Sequence, residues 1–423
     1  MKRYTLLMLL LVSCFSLQAQ VDTTQQIVRG RVNSPQQQQK SYVILISADG
    51  FRYDYAEKYQ AENLLNLRRQ GVQAHSMLPA FPSKTFPNHY SIVTGLYPAH
   101  HGLVNNSFYD PQRKQTYSMR DRAMVEDGSW YGGTPLWVLA EQQQMVTASF
   151  YWVGSEAPIQ GVFPTYHYKY NESLPIGKRI QTVVDWLNLP EERRPHLITF
   201  YLPEVDHAGH SFGPDAPETE KAVAELDENI KKLTEAVAQT GLPVNYIFVS
   251  DHGMIQIDQE NTLSLPAAID TAKFMVSGGG MVVELHAKDK SAIKSTYKQL
   301  KKEASPEYEV YLKSNLPKKL KYGSADDTYG RIGDIMLLSY APKVFHFSRR
   351  KPSPGAHGYD PKAVKEMHAT FYAWGPAFKS GVELPSFENV HVYPIVTEIL
   401  GLKINQKIDG NHKVAQEVLK EKK

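Results

Sequence analysis

The sequence predicts an α/β fold around a mostly parallel central sheet, and three observations carry that expectation. Short apolar runs with β-branched members, Tyr42 to Ser47 (YVILIS), His196 to Leu202 (HLITFYL) and Asn245 to Ser250 (NYIFVS), read as strands covered on both faces. Between them lie stretches of helical periodicity, the strand–helix–strand alternation of parallel sheets. Each run is followed by an acid, Asp49, Asp206 or Asp251, and open α/β sheets build their sites at the carboxyl ends of strands.

Taken in order, the chain opens with MKRYTLLMLLLVSCFSLQAQ, a basic start and a short apolar run that reads as an export signal over 1–19, too short for a stable bilayer anchor. A rival reading takes Leu11 to Cys14 as a lipobox, with Cys14 as a lipid anchor. Cys14 is the only cysteine, so the folded part has no disulfide under either reading. An exported protein, periplasmic or secreted, is expected. Residues 20–40, rich in Gln, Thr and Ser, read as a disordered lead-in.

The core is expected over 41–264 and again over 351–423. After the first strand, Asn63 to Gln70 reads as a helix stopped by Gly71, then a strand near Val72 to Leu78. Val146 to Trp152 is strand-like, and Ile180, Val183, Val184 and Leu187 share one helical face. Val223, Leu226, Ile230, Leu233 and Val237 form a second helical stripe, ended before Gly241. Residues 265–350 look like a small α+β insertion, with strands at Met281 to Leu285, Tyr308 to Leu312 and Ile335 to Leu338 and a Lys-rich helix from Ser291 to Glu303. Thr370 to Trp374 and a helix at Tyr393 to Leu400 close the core.

At 423 residues the chain is long enough to bury a sizeable core. Its net charge is only +3 and its basic residues are mostly scattered, so nucleic-acid or membrane binding by charge is not indicated, and no transmembrane segment is expected.

The stretch FPSKTFPNHYSIVTGLYPAHHG, Phe81 to Gly102, places a hydroxyl where a loop becomes a helix. Pro87 suits a first turn and Gly95 an end, so Asn88 to Thr94 reads as a short helix with Thr85 at its N-terminus. Free N–H groups and the helix dipole there favour an alkoxide or a phosphate, although Thr85 could equally be a plain N-cap.

Histidines accompany the strand-end acids. His210 lies four residues after Asp206, His252 follows Asp251, and His357 sits in GAHGYD. Oxygen and imidazole ligands suit zinc with positions open for substrate. Six protein ligands and a hydroxyl overfill one tetrahedral site but divide well between two ions ~4 Å apart, as in two-metal phosphoryl transfer.

Together these motifs, ADGFR, the 81–102 stretch, FYDP at Phe108 to Pro111, DHAGH, SDHGM and GAHGYDP, resemble the nucleotide pyrophosphatase/phosphodiesterase family of the alkaline phosphatase superfamily, in its bacterial form. The resemblance runs from about Tyr42 to Leu402. It implies an alkaline-phosphatase-like, three-layer αβα core with two Zn2+ per chain and a threonine nucleophile. By position, Asp49, Asp251, His252 and Thr85 look like the site of the ion that activates the nucleophile, and Asp206, His210 and His357 like the other. Asn106 matches the asparagine that donates to a phosphoryl oxygen, with Asn105 beside it, and His207 falls off the ligand positions.

The resemblance further implies that Thr85 attacks a phosphodiester or phosphoanhydride, that water resolves a phosphothreonine, and that nucleotides are cleaved to nucleoside 5'-monophosphates. For the substrate it suggests Phe86 and Tyr170 stacking a base, with Lys84, Trp152 and Tyr201 nearby. Two stretches depart from the family pattern: Pro203-Glu204-Val205-Asp206, and Trp152-Val153-Gly154-Ser155. Rival readings are a phosphomonoesterase or (lyso)phospholipid phosphodiesterase of the same superfamily, and an exported binding protein without catalysis. A sulfatase is disfavoured because the Cys-x-Pro-x-Arg type motif is absent.

Overall fold

The computed structural model describes residues 23–421. Its nine-stranded sheet contains, in chain order, β1 (Gln26–Ile27), β2 (Tyr42–Ala48), β3 (Val72–Ala74), β4 (Thr147–Phe150), β5 (Tyr166–Tyr168), β6 (Leu197–Leu202), β7 (Val244–Val249), β8 (Phe371–Trp374) and β9 (Val382–Leu384). The spatial order is β1-β5-β4-β6-β2-β7-β8-β3-β9. From β5 through β7 neighbours run parallel, whereas β8 is antiparallel to both β7 and β3. The mostly parallel sheet expected from sequence is therefore present, with β8 and the edge strand β1, which pairs antiparallel with β5, as its antiparallel members.

The helices used below are α1 (Glu62–Gln70), α2 (Thr85–Thr94), α3 (Leu136–Gln142), α4 (Ile176–Leu187), α5 (Glu204–Phe212), α6 (Pro217–Ala238), α7 (Ala292–Glu303) and α8 (Val392–Leu400). Successive side chains of a strand point to opposite faces, and in β2 both sets are apolar. Val43 and Leu45 join a core with residues of α2, α3 and α8, while Ile44 and Ile46 join another with residues of α1, α4 and α6. The result is three layers, helix on sheet on helix. In α6 the stripe Val223, Leu226, Ile230, Leu233 and Val237 is fully buried; at about 1.5–3 kcal/mol per buried aliphatic, it anchors a helix whose other faces are charged.

Several boundaries shift for local reasons. The strand expected over Val146 to Trp152 ends at Phe150, because Tyr151 takes a positive φ of 70° that turns the chain. The strand expected over Val72 to Leu78 splits, its second piece Met77–Leu78 pairing with Phe387–Glu388. Helix α2 begins at Thr85, three residues before the expected start. The short strands β1 and β5 were not foreseen.

The expectation of a disordered lead-in over 20–40 is corrected from residue 23 onward. Strand β1 pairs with β5, and buried Asn33 donates to the carbonyls of Glu191 (2.8 Å) and Arg194 (2.7 Å) while accepting from the Val146 amide (2.7 Å). One amide side chain stitches this polar segment to the sheet, and composition does not reveal such a bond. The expected signal over 1–19 and Cys14 lie outside the described residues. Among the described residues no helix is long and apolar enough to cross a membrane.

Within 265–350, strands Phe274–Gly279, Val282–Ala287, Ile335–Ser339 and Tyr308–Leu312 pair antiparallel in that spatial order, with a core of their own that includes Val283, Leu285, Val310, Ile335 and α7's Leu300.

Candidate active site

Parallel register brings the strand-end acids together. Ser47 of β2 lies opposite Val249 of β7 and Tyr201 of β6, so the three carboxyl ends finish at one edge of the sheet. Asp49 follows β2, Asp251 follows β7, and Asp206 sits in the first turn of α5 after β6. Gly50, at φ 67°, permits close approach: a Cβ there would stand 3.0 Å from the Cα, Cβ and Oδ1 of Asp206. Gly355 does the same for the other loop, since a Cβ would stand 2.0 Å from the Gly209 carbonyl, and this contact brings His357 to His210.

Each expected histidine ligand is oriented by a backbone carbonyl. Nδ1 lies 2.9 Å from Gly253 O in His252, 2.8 Å from Gly355 O in His210 and 2.8 Å from Ser83 O in His357. A carbonyl only accepts, so Nδ1 carries the hydrogen and Nε2 offers its lone pair inward. The His252 Nε2 is 2.9 Å from Asp251 Oδ2, 3.5 Å from Asp49 Oδ1 and 3.2 Å from Thr85 Oγ1. The His210 and His357 Nε2 atoms are 3.1 Å apart, and 3.5 Å and 3.8 Å from Asp206 Oδ1.

Buried Asp49 Oδ1, Asp206 Oδ1 and Asp251 Oδ2 have no hydrogen-bond partner. Inward lone pairs of imidazole facing unpartnered buried carboxylate oxygens are a poor arrangement for protein alone and a good one for divalent cations. The donor chemistry fits zinc. The groupings with ligand atoms within 4.8 Å are Asp206/His210/His357, which is one half of the expected division, and Asp49/Asp206/His252 and Asp49/His89/Asp251, which share Asp49 and cut across the other half.

The electrostatics agree. Burial pushes the Asp49 carboxyl well up, and the charges of Asp251 and Asp206 push it further, opposed by the Tyr201 hydroxyl. Burial also acts on Asp251, but adjacent His252 and His89 overcome it and hold that carboxyl well below its usual range. Burial lowers His357 well below its usual range, and the neighbouring His252, Lys84 and His210 act in the same direction. Cations bound among these groups would relieve the crowding of carboxylates.

Thr85 is the first residue of α2. Its neighbour Lys84, extended at φ −119° and ψ 153°, is the N-cap and makes no side-chain cap bond. Thr85 is thus not the capping side chain, and its hydroxyl faces His252 instead. Asn106 Oδ1 accepts from the Phe86 amide at 2.9 Å, which leaves its Nδ2 as a donor beside the helix start. Asn105 is buried and spends its Oδ1 on the Asn106 amide, so Asn106 is the one turned toward Thr85's helix.

A cavity of about 280 Å³ opens from Thr85 and Asp49, walled by Phe86, Trp152, Tyr170 and Tyr201. Tyr170 packs edge-on against Tyr151 and Tyr201, and its hydroxyl donates to Glu172 at 2.7 Å. Tyr201 also donates to Asp49 Oδ2 at 2.5 Å, so it serves the acid cluster as well as the wall. Lys84 does not line this cavity. Its ammonium lies 3.8 Å from Met281 Sδ and packs on Gly358, with burial drawing its pKa down to about 8 against the pull of Asp206. His207, read as off the ligand positions, comes to the cavity mouth, 3.5 Å from Glu172.

Two groups were missed by sequence. Arg122 and buried Glu156 form an ion pair in the cavity wall, joined by Glu126 and Lys169. Nothing around RDR or after Gly154-Ser155 marks them. His89 lies 3.3 Å from Asp251 Oδ2; the i, i+4 spacing from Thr85 was the available signal.

The sequence profile of the type I phosphodiesterase/nucleotide pyrophosphatase family matches residues 43–360. Ectonucleotide pyrophosphatase/phosphodiesterase family member 1 of Mus musculus is 34% identical over 391 residues, which are 89% of this chain and 42% of that protein. Venom phosphodiesterase of Naja atra is 34% identical over 378 residues, 86% of this chain and 45% of that one. The chain thus spans less than half the length of these relatives. Among solved structures, murine ectonucleotide pyrophosphatase/phosphodiesterase 5 superposes with a TM-score of 0.83 at 28% identity, covering 90% of this chain and all of that one. Its inactive Thr-to-Ala variant in complex with AMP superposes at 0.82 and 27% identity, with the same coverage. With the profile spanning most of the fold and all seven expected metal-site positions falling inside it, the chain belongs to the type I phosphodiesterase/nucleotide pyrophosphatase family.

Proposed function

We propose that the protein is an exported two-zinc hydrolase that cleaves phosphodiester and phosphoanhydride bonds of nucleotides, releasing nucleoside 5'-monophosphates through a phosphothreonine at Thr85. The observation that carries the reading is the cluster of three buried carboxylate oxygens without hydrogen-bond partners and three carbonyl-oriented imidazoles, with His252 Nε2 standing 3.2 Å from the Thr85 hydroxyl. Asp49, Asp251 and His252 would hold one ion and Asp206, His210 and His357 the other, and the bound ions would supply Lewis acidity and positive charge for phosphoryl transfer.

The chain's own residues do the rest. Thr85 Oγ forms the new bond to phosphorus as the bond to the leaving oxygen breaks, and water then releases the nucleoside 5'-monophosphate and restores the hydroxyl. Asn106 Nδ2 donates to a phosphoryl oxygen, its orientation set by the bond from the Phe86 amide. The base lies between Phe86 and Tyr170 in the cavity that begins at Thr85. The complex of a related inactive Thr-to-Ala variant with AMP supports this reading.

The cavity argues against two rivals. Arg122 is already paired with Glu156 and Glu126, so it is not free for the terminal charge of a monoester. The same charges in the wall are unsuited to an acyl chain.

The test is hydrolysis of paired aryl phosphate monoesters and diesters before and after chelation and zinc return, with Thr85→Ala beside wild type. Chelation should abolish diester hydrolysis and zinc restore it. Thr85→Ala should keep its zinc and lose turnover by about three orders of magnitude or more. Activity in a demonstrably metal-free preparation sinks the metal reading; near-normal turnover in Thr85→Ala sinks the covalent one.

A further inference from the structure

We infer that His89 is a positioning residue that fixes the nucleophile-bearing turn of α2 against Asp251. This rests on the reading of Thr85 as nucleophile. His89 is completely buried, one helical turn after Thr85. Its Nδ1 lies 3.0 Å from the Thr85 carbonyl oxygen and 3.3 Å from Asp251 Oδ2, and its Nε2 lies 2.8 Å from Ser47 Oγ. Since the carbonyl can only accept, Nδ1 carries the hydrogen, and Nε2 accepts from the Ser47 hydroxyl.

Those three contacts reach three separate parts of the fold. Ser47 belongs to β2, Asp251 to the loop after β7, and Thr85 to the start of α2. The ring is held edge-on by Trp152 at 5.3 Å and Tyr201 at 5.1 Å, and the Trp152 indole donates to the His89 carbonyl at 3.0 Å. With both nitrogens engaged, the ring backs the cluster without serving as one of its ligands, although it stands within ligand distance of Asp49 and Asp251. Its N–H bonds to the backbone carbonyl of the nucleophile, and the same nitrogen stands 3.3 Å from the carboxylate that the nucleophile must face. A small shift of that turn would leave substrate binding intact while misaligning the attack.

The zinc-loaded full chain tests this with His89→Ala, His89→Asn and Ser47→Ala. Asparagine can return an N–H near the place of Nδ1. Zinc content, thermal midpoint, kcat and KM are measured on a nucleoside 5'-aryl phosphodiester. His89→Ala should lose kcat by about 10- to 100-fold with KM and zinc content near wild type, the usual range for an outer contact. His89→Asn should recover most of that loss, and Ser47→Ala should lose a smaller part of kcat at unchanged KM. Unchanged kcat in His89→Ala, a loss that His89→Asn does not relieve, or a loss of zinc overturns the inference. Should His89→Ala not fold, Ser47→Ala and His89→Asn decide: kcat lowered more in the former than in the latter supports it, and any other result overturns it. An inactive wild type overturns the proposed function instead.

Discussion

Replacing Tyr201 by Phe separates two roles that the structure gives to one side chain. The ring walls the cavity and packs on Tyr170 and His89, and Phe keeps it. The hydroxyl, 2.5 Å from Asp49 Oδ2, is the hydrogen-bond donor to that carboxylate, whose Oδ1 has no partner among the described residues. A hydrogen bond to a charged group contributes about 1.5–3 kcal/mol, which at about 1.4 kcal/mol per tenfold is about 10- to 150-fold in a binding constant. Outer contacts to metal ligands fall in the same range. Tyr201→Phe should therefore bind zinc more weakly by one to two orders of magnitude in a competition titration against a chelator. The loss should grow as pH falls, because a bound ligand must be ionised, Asp49 is already pushed upward by burial, Asp251 and Asp206, and the Tyr201 hydroxyl opposes that push. At saturating zinc, kcat and KM on a nucleotide diester should return to near wild type. A raised KM with unaltered zinc affinity would refute the reasoning and make the hydroxyl a substrate contact.

Three further outcomes are expected. Tyr170→Ala should lower kcat/KM on a nucleoside 5'-aryl phosphodiester by the equivalent of about 1–3 kcal/mol and spare a bis-aryl phosphate; equal losses on both would reject the stacking slot. Asn33→Ala should leave the buried Val146 amide unpaired at about 1–3 kcal/mol and remove the part-buried bonds to the Glu191 and Arg194 carbonyls, lowering the urea midpoint and exposing residues 23–40 to protease, and unaltered proteolysis would count against the order assigned to that segment. His100 has its pKa raised above 6.5 by its hydrogen bond to Asp409 despite partial burial, so its stabilisation is complete below pH 6.5 and lost as pH rises through the raised value; the slope of stability against pH should flatten there in His100→Gln.

Much of the site was legible because its residues sit in contiguous motifs next to strong strands. Asp49 and Asp251 each come within two residues of a buried strand, and DHAGH falls just beyond a third, so recognising β2, β6 and β7 was enough to place three acids at one sheet edge. Thr85 was legible for the same reason, since Pro87 and Gly95 bracket a helix in the sequence itself. The lead-in failed where polar composition was taken for disorder: Asn33 is ordered by three bonds to residues more than a hundred positions away, and nothing local announces them. Lys84 failed in the same manner, since its neighbour faces the cavity while its own side chain lies on Gly358.

By itself, then, the sequence determined the layered α/β class, the strands that carry the acids and the Asp and His residues that cluster at their ends, because periodicity, chain punctuation and contiguous motifs are local properties. Tertiary structure decided which oxygen is left unpartnered, which imidazole nitrogen turns inward, that Tyr201 belongs to Asp49 as much as to the cavity, and that Arg122 and Glu156 stand in the wall. Those outcomes depend on which carbonyl or hydroxyl packing brings within about 3 Å, and a hydrogen bond is specified by distance and direction between groups that the chain order leaves far apart.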